Sequence, residues 1–393
     1  MYLNNNTPLV AVDINSTSVS VARISFIKNQ YELMNLGVTP LSKGTVVDEI
    51  IEKPDEVVNA LKQLVEKEKL KYKHAIVSVP GNSAVIRKIL MPQMSQEKLY
   101  EKILDEIEDH IPFEINNLKI DFKVINSNQN GNIDQEYIDW KNKFNNDKPI
   151  ESNIDPHIAQ NEKQEVLITA IPKDYVEDRL DILTEVGLDP VIVDLDIFAL
   201  INTLSFTKGF SLNDPVALIY LNEPQTHINI LENGLPSFID DIPIIRNCAT
   251  QWTKASPKVS FNSTEKRGLL KLFNNHETQQ SLTKKTDWEK SLMSKDNKVL
   301  PFDKVIEEIK VAFQIFNDNK NKKVKQIYIC GVGALFSGAE ALLYDCFKIP
   351  VKTINPFLSV NVRESHFDKE TTYSFGPLSS VLTGLAIRRF DYK

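Results

Sequence analysis

Asp13 closes an apolar run, residues 9–14 (LVAVDI), and Asn15, Ser16, Thr17 and Ser18 follow it. An aspartate at a strand end can hold a hydrated Mg²⁺, and a hydroxyl-rich turn offers O–H and N–H donors to phosphate. The same residues fit an Asx turn, whose short polar side chain simply stabilises a hairpin. Gly331-Val332-Gly333 is a second such place, after an apolar strand at 326–330. Glycine lets the backbone approach a ligand, and the helix that follows offers unpaired N–H groups to anions. The turn lacks the third glycine and the spaced acidic residue of a dinucleotide fingerprint, and no P-loop string occurs. His227 is a base on paper and reads as a structural histidine on a strand. Cys248, Cys330 and Cys346 show no metal-ligand spacing and read as reduced thiols.

These residues need a scaffold to hold them. The chain has 393 residues, with 46 Lys and Arg against 53 Asp and Glu, a net charge of −7. That length suits two to three domains, and the acidic balance argues against nucleic acid as a partner. With 42% hydrophobic and 25% charged residues it can bury a sizeable core. Glycine is scarce, at 13 residues, which limits phosphate-cradling loops. MYLNNNTPLV lacks the basic and apolar regions of a secretory signal, and no run of about 18 apolar residues predicts a membrane span.

Strands are expected at 9–14, 19–26 and 31–37, a meander with polar turns. The unit recurs about 207 residues later, at 217–221, 226–231 and 237–242. Two copies predict duplicated lobes facing each other, with a ligand cleft between them; two unrelated meanders would leave the same pattern. Apolar spacing predicts helices at 53–69, 95–110, 173–186, 304–316, 335–347 and 379–389, and strands at 75–79, 83–91, 164–170 and 326–330. Segments 126–163 and 253–298 read as insertions, mobile loops or weakly packed helices. The second has ten Lys and Arg against five Asp and Glu. It is solvated surface, or a contact for acidic lipids or an acidic partner.

In their order these pieces resemble the actin-like ATPase superfamily, and within it the PilM family of type IV pilus assembly proteins. That family opens with a strand, D-I-G-S-S-S-V and a second strand; here the string is VAVDINSTSVSVARI. Its V-x-P-L-x-x-G-x-V-x-D-G-x-I string is matched by VTPLSKGTVVDEII, and V-x-V-P-G-x-x-V-x-x-R-x-I-x-x-P by the segment AIVSVPGNSAVIRKILMP. EIEDHIPFEI, IVDLDIFALI and YICGVGALFSGAEALL follow in the family's order. The resemblance covers residues 8–125, 164–245 and 300–390.

It implies an α/β, actin-like (ribonuclease H-like) two-lobed fold with duplicated cores and an FtsA/PilM-type inserted subdomain. The first lobe would comprise 1–37, 179–211 and 376–393, and the inserted subdomain 38–178. The second lobe would comprise 212–245 and 325–375, and a further subdomain 246–324. A nucleotide site would use Asp13, Asn15, Ser16, Thr17, Ser18, Gly331 and Gly333, with ATP and Mg²⁺ as possible ligands and Asp13 toward the metal. Asp194 and Asp196, a spacing that can suggest acid–base work, would be structural residues on a strand. The family glycine of the first turn is Asn15 here, and the second turn's D-I-G is Tyr220-Leu221-Asn222, followed by Glu223 and Pro224. A phenol and an added carboxylate disfavour a triphosphate there, so hydrolysis is not expected and no catalytic residue is assigned. The implied role is a cytoplasmic scaffold, peripheral to the inner membrane, that grips the N-terminal tail of a PilN-like membrane protein and meets other pilus platform proteins. Arg87, Ile111, Pro112 and Phe113 are the groove candidates, Ile111 and Phe113 being equally suited to a core. The alternatives are an active ATPase or kinase of the same fold, an FtsA-like division protein, and a type II secretion component. The end at LAIRRFDYK, directly after the last helix, speaks against FtsA, and the lack of a membrane span against the secretion component.

Overall fold

The computed structural model describes residues 9–108, 114–128, 163–207, 214–222, 225–243, 301–335, 338–362, 367, 372–373 and 375–388. Val10–Ile14 (β1), Ser18–Ile27 (β2) and Gln30–Pro40 (β3) form an antiparallel meander. Val46–Val47 (β4) and Ile50–Ile51 (β5) make a small hairpin. Its turn residues Asp48 and Glu49 have φ of 48° and 67°, the both-positive pattern of two-residue hairpin loops that Asn-Gly usually supplies. Left-handed backbone costs a non-glycine residue roughly 1–2 kcal/mol. Pro54–Lys67 (α1) starts on proline and two acidic residues and buries Val57, Val58, Leu61 and Leu64. His74–Val79 (β6) then returns parallel to β1.

The next elements are Val85–Pro92 (β7), Gln96–Glu108 (α2), Leu118–Asn128 (β8), Lys163–Pro172 (β9) and Lys173–Val186 (α3). Asp189–Leu195 (β10) lies parallel to β6 and leads into Asp196–Phe206 (α4). The meander recurs as Val216–Leu221 (β11), Gln225–Glu232 (β12) and Leu235–Pro243 (β13). Pro301–Lys320 (α5), Gln326–Cys330 (β14), Ala339–Phe347 (α6), Val351–Thr353 (β15) and Ser380–Ala386 (α7) complete the order.

The first sheet runs β3-β2-β1-β6-β10 and the second β13-β12-β11-β14-β15. In each, an antiparallel meander is extended on its first strand by two parallel strands. The two sheets match strand for strand, which excludes two unrelated meanders. One core joins them: Ala199, Leu200 and Leu204 of α4 and Val381, Leu382 and Leu385 of α7 pack with Leu218, Tyr220 and Leu231 of the second sheet and Ala11, Ala22 and Ile24 of the first.

The chain divides into two compact units, Met1–Pro80 with Asp178–Lys393, and Gly81–Glu177. In the second unit β9 is the centre of a three-stranded antiparallel sheet, β7-β9-β8. Its own core holds Ile89, Met91, Leu99, Ile103, Val166 and Ile168.

Two expected boundaries move. Residues 38–80 were assigned by the resemblance to the inserted subdomain. They belong instead to the first unit, because β6 is an interior strand of the first sheet and α1 packs in that sheet's core. Residues 301–324, expected in a further subdomain, include α5, whose Val305, Ile309, Phe313 and Phe316 join the second sheet's core. Asp196 opens α4 rather than lying on a strand. The expected helix 335–347 is present as α6 but starts later, at Ala339, with Gly338 at φ 107° before it and a 3₁₀ turn at Val332–Leu335. The insertions lie almost wholly outside the described residues, as do Glu223, Pro224 and Cys248.

Candidate functional site

The turn after β1 is filled by one side chain. Asn15 Oδ1 accepts from the Thr17 and Ser18 amides, both at 3.0 Å, and from the hydroxyls of Thr17 at 2.8 Å and Ser18 at 3.3 Å. Its Nδ2 donates to Asp13 Oδ2 at 3.2 Å. Ser78 Oγ at the end of β6 donates to Asp13 Oδ1 at 2.7 Å. Burial raises the Asp13 pKa, against the pull of the Ser78 and Asn15 hydrogen bonds and the Arg179 charge. Asp13, Asn15, Thr17 and Ser18 therefore form one hydrogen-bonded group, with Ser16 between them in sequence. The donors that would meet a phosphate already meet a carboxamide, so the turn as it stands does not fit a nucleotide phosphate. Among the described residues no three His, Cys, Asp or Glu side chains gather as metal ligands. Asp13 would hold Mg²⁺ only with water or ligand oxygens.

The second turn repeats the design with other chemistry. Asn222 Nδ2 donates to Tyr220 Oη at 3.2 Å, reaching back two residues as Asn15 does to Asp13. Asp13 faces Ser20 across its hairpin, and Tyr220 faces His227. The Tyr220 and His227 rings stack at 5.9 Å and 13°. Gly331 is held by the protein's own backbone. Its N–H donates to Pro377 O at 2.9 Å. At φ 85°, a Cβ there would stand 2.6 Å from Leu221 O, so close packing of β14 on β11 requires the glycine. Gly333 is buried in the 3₁₀ turn that follows. Gly331 is thus packed against the second turn, on Leu221 and Tyr220.

A charge cluster lies beside these turns that spacing could not reveal. Arg179 of α3 is 1% exposed, and its Nη2 donates to Glu49 O at 3.4 Å. Burial lowers its pKa, opposed by the carboxylates of Glu49, Asp13, Asp178 and Asp196. The one sequence signal was its place three and four residues before Ile182 and Leu183, on the buried face of α3. Burial lifts Glu49 to about 7, with His227, Asp196, Arg179 and Asp13 all in electrostatic reach. His227 forms an ion pair with Asp241 across β12 and β13. Burial would lower its pKa, but the Asp241 hydrogen bond and the charges of Asp196, Asp241 and Glu49 outweigh this and hold it at about 9.

This arrangement predicts a pH dependence. A group with a raised folded-state pKa stabilises fully below its unfolded value and loses that stabilisation as pH rises through the folded value. For His227 the window runs from 6.5 to about 9, and for Glu49 from 4.5 to about 7. Stability should fall by about 1–3 kcal/mol between pH 6.5 and 9. Urea unfolding of His227→Gln at both pH values should show most of that slope gone; an unchanged slope would rule out His227 as its source.

Arg87 sits on β7, its Nη1 donating to Ile86 O at 3.0 Å, with burial lowering its pKa. Among the described strands β7 pairs only with β9, and its other edge faces no described strand. Ile111, Pro112 and Phe113 lie outside the described residues. No described helix is long and apolar enough to cross a membrane.

The chain matches the family described as type IV pilus assembly protein PilM over residues 11–138, 152–242 and 275–390. It is similar to a solved PilM-PilN type IV pilus biogenesis complex, with 18% identity, a TM-score of 0.69, and coverage of 96% of this chain and 97% of that one. Weaker similarity links it to the ethanolamine utilization protein EutJ from Carboxydothermus hydrogenoformans, at 12% identity and a TM-score of 0.46 over 97% and 89% of the two chains. MreB5 of Spiroplasma citri bound to ADP gives 11% and 0.43 over 97% and 95%. The paired sheets are thus those of the actin-like fold, and the chain belongs to the PilM family of type IV pilus assembly proteins.

Proposed function

We propose that the chain is a cytoplasmic scaffold of the inner-membrane platform of a type IV pilus or related machine. It binds the N-terminal tail of a PilN-like membrane protein and is held at the membrane by that partner and by other platform proteins. The observation that carries this reading is the family match across most of the chain, supported by the likeness to a PilM-PilN complex. The edge of β7 that faces no described strand supports it too: an extended peptide can add there as a strand, through main-chain hydrogen bonds and alternate side-chain pockets. The cleft serves as structure in this reading, a degenerate nucleotide site without turnover.

Calorimetric titration with a synthetic N-terminal peptide of the organism's PilN-like protein should show saturable one-to-one binding. Arg87→Ala should weaken it about tenfold, the scale of a moderate interface residue. No heat at two temperatures would remove the PilN-like partner; full affinity in Arg87→Ala would move the groove away from β7.

A further inference from the structure

A cavity of about 510 Å³ opens at the end of the second sheet where β14 and β15 begin. The turns that carry Asn222 and Gly331 lie at the other end of these strands, because β11 and β14 run parallel. The cavity wall is apolar. Phe313 of α5 and Phe347 of α6 meet with ring centroids 5.2 Å apart, and Ile349 and Pro350 continue the wall. The backbone beneath is fixed: Lys325 N–H donates to Pro215 O and Ile327 N–H to Pro350 O, both at 2.9 Å.

The polar groups at the cavity are Lys323, Lys325, Lys348 and Asn317, and among the described residues no carboxylate lines it. In a chain with more acidic than basic residues, this is a local reversal of charge. Lys348 pairs with Asp345 at 3.3 Å, and Lys322 beside the cavity pairs with Glu232 at 2.6 Å. Lys323 and Lys325 have no ion-pair partner among the described residues. Asn317 Oδ1 is buried and accepts no hydrogen bond, a costly state for an acceptor. A ligand that fits has an apolar body, negative charge beside it and one hydrogen-bond donor. The volume lies in the lower half of the usual range for ligand sites, about 300–1,000 Å³, and takes one large side chain with its main chain. A peptide supplies all three parts: an aromatic or branched side chain, flanking carboxylates and a main-chain N–H. A bilayer surface is broad and presents charge without filling a recess.

We propose that this cavity is a docking site for an acidic peptide segment of a partner protein. The segment sets an aromatic or branched side chain against Phe313 and Phe347 and its carboxylates on Lys323 and Lys325. The site belongs to the first unit and does not rest on the PilN-like reading, whose candidate edge, β7, is in the other unit.

Saturation-transfer NMR on the full chain, with acetyl-Glu-Asp-Phe-Asp-Glu-amide as the probe, tests this. Binding should be saturable and strongest on the phenylalanine ring, and about tenfold weaker when serine replaces phenylalanine in the probe. Lys323→Gln with Lys325→Gln should weaken it about tenfold, and Lys323→Arg with Lys325→Arg should keep it. Both lysines are exposed, so either pair should melt with the wild type. No saturable binding, equal binding by the glutamine pair, or equal binding of the serine probe would each overturn the proposal. So would binding of phosphatidylglycerol vesicles through the same lysines in place of the peptide, which would make the surface a lipid contact. Self-association that the glutamine pair abolishes would make it a face between copies, with the same consequence. The PilN-like peptide should bind the glutamine pair as it binds the wild type; a loss there would merge the two sites and overturn the proposal as well.

Discussion

Gly384→Ala is expected to destabilise the chain by about 2–4 kcal/mol, through overpacking and a strained hydrogen bond. Gly384 lies in α7, where every residue is buried. A Cβ on it would stand 1.8 Å from Ala199 O, 2.5 Å from the Ala199 carbonyl carbon and 2.8 Å from Thr203 Oγ1. The first two are backbone atoms of α4, so no rotamer relieves the overlap and the helices must part. Their crossing is pinned by Thr203 Oγ1 donating to Ser380 O at 2.6 Å, a buried hydrogen bond that parting would stretch. Alanine's better helix propensity returns only about 1 kcal/mol. Because α4 and α7 form the core shared by both sheets, the damage falls on the joint between the lobes. Urea unfolding followed by far-ultraviolet circular dichroism measures it; stability within 0.5 kcal/mol of wild type would mean the helices yield freely.

Arg179→Leu should cost about 3–5 kcal/mol at pH 7, the range for breaking a buried charge arrangement by removing one partner. Leucine fills much of the same space, so the loss is chiefly electrostatic. It strands Asp13, Glu49 and Asp196, whose charges Arg179 offsets, and removes the donor to Glu49 O. An electrostatic origin has a signature: part of the loss should return by pH 5, as Glu49 and then its neighbours take up protons. A cost below 1 kcal/mol at pH 7, or one unchanged at pH 5, would show that Arg179 acts by packing alone.

Much of the frame was legible in the sequence, because its signals are local. The meander strands alternate between turn residues, and both copies lie within a few residues of the expected places. The β4–β5 hairpin was not legible: two-residue strands carry no periodicity, and Asp48-Glu49 lacks the Asn-Gly signature of its turn. The Asx turn at Asn15 was visible as one of two readings, since Asn followed by hydroxyl residues serves either. The packing role of Gly331 was not legible, because a glycine needed for packing looks the same as one that meets a ligand. The cluster of Glu49, Arg179, His227 and Asp241 was invisible, as its members come from a hairpin, a helix and two strands far apart in the chain.

The core of Gly81–Glu177 is made solely of that unit's own residues, whereas the two large sheets share one. Cooperativity follows shared burial, since groups melt together when each loses its apolar cover with the other. The paired lobes therefore form one thermodynamic block, and a lesion at Gly384 or Arg179 is felt across both sheets. The smaller unit is a separate ledger of stability. Its opening is therefore expected to follow its own free energy, apart from that of the paired lobes.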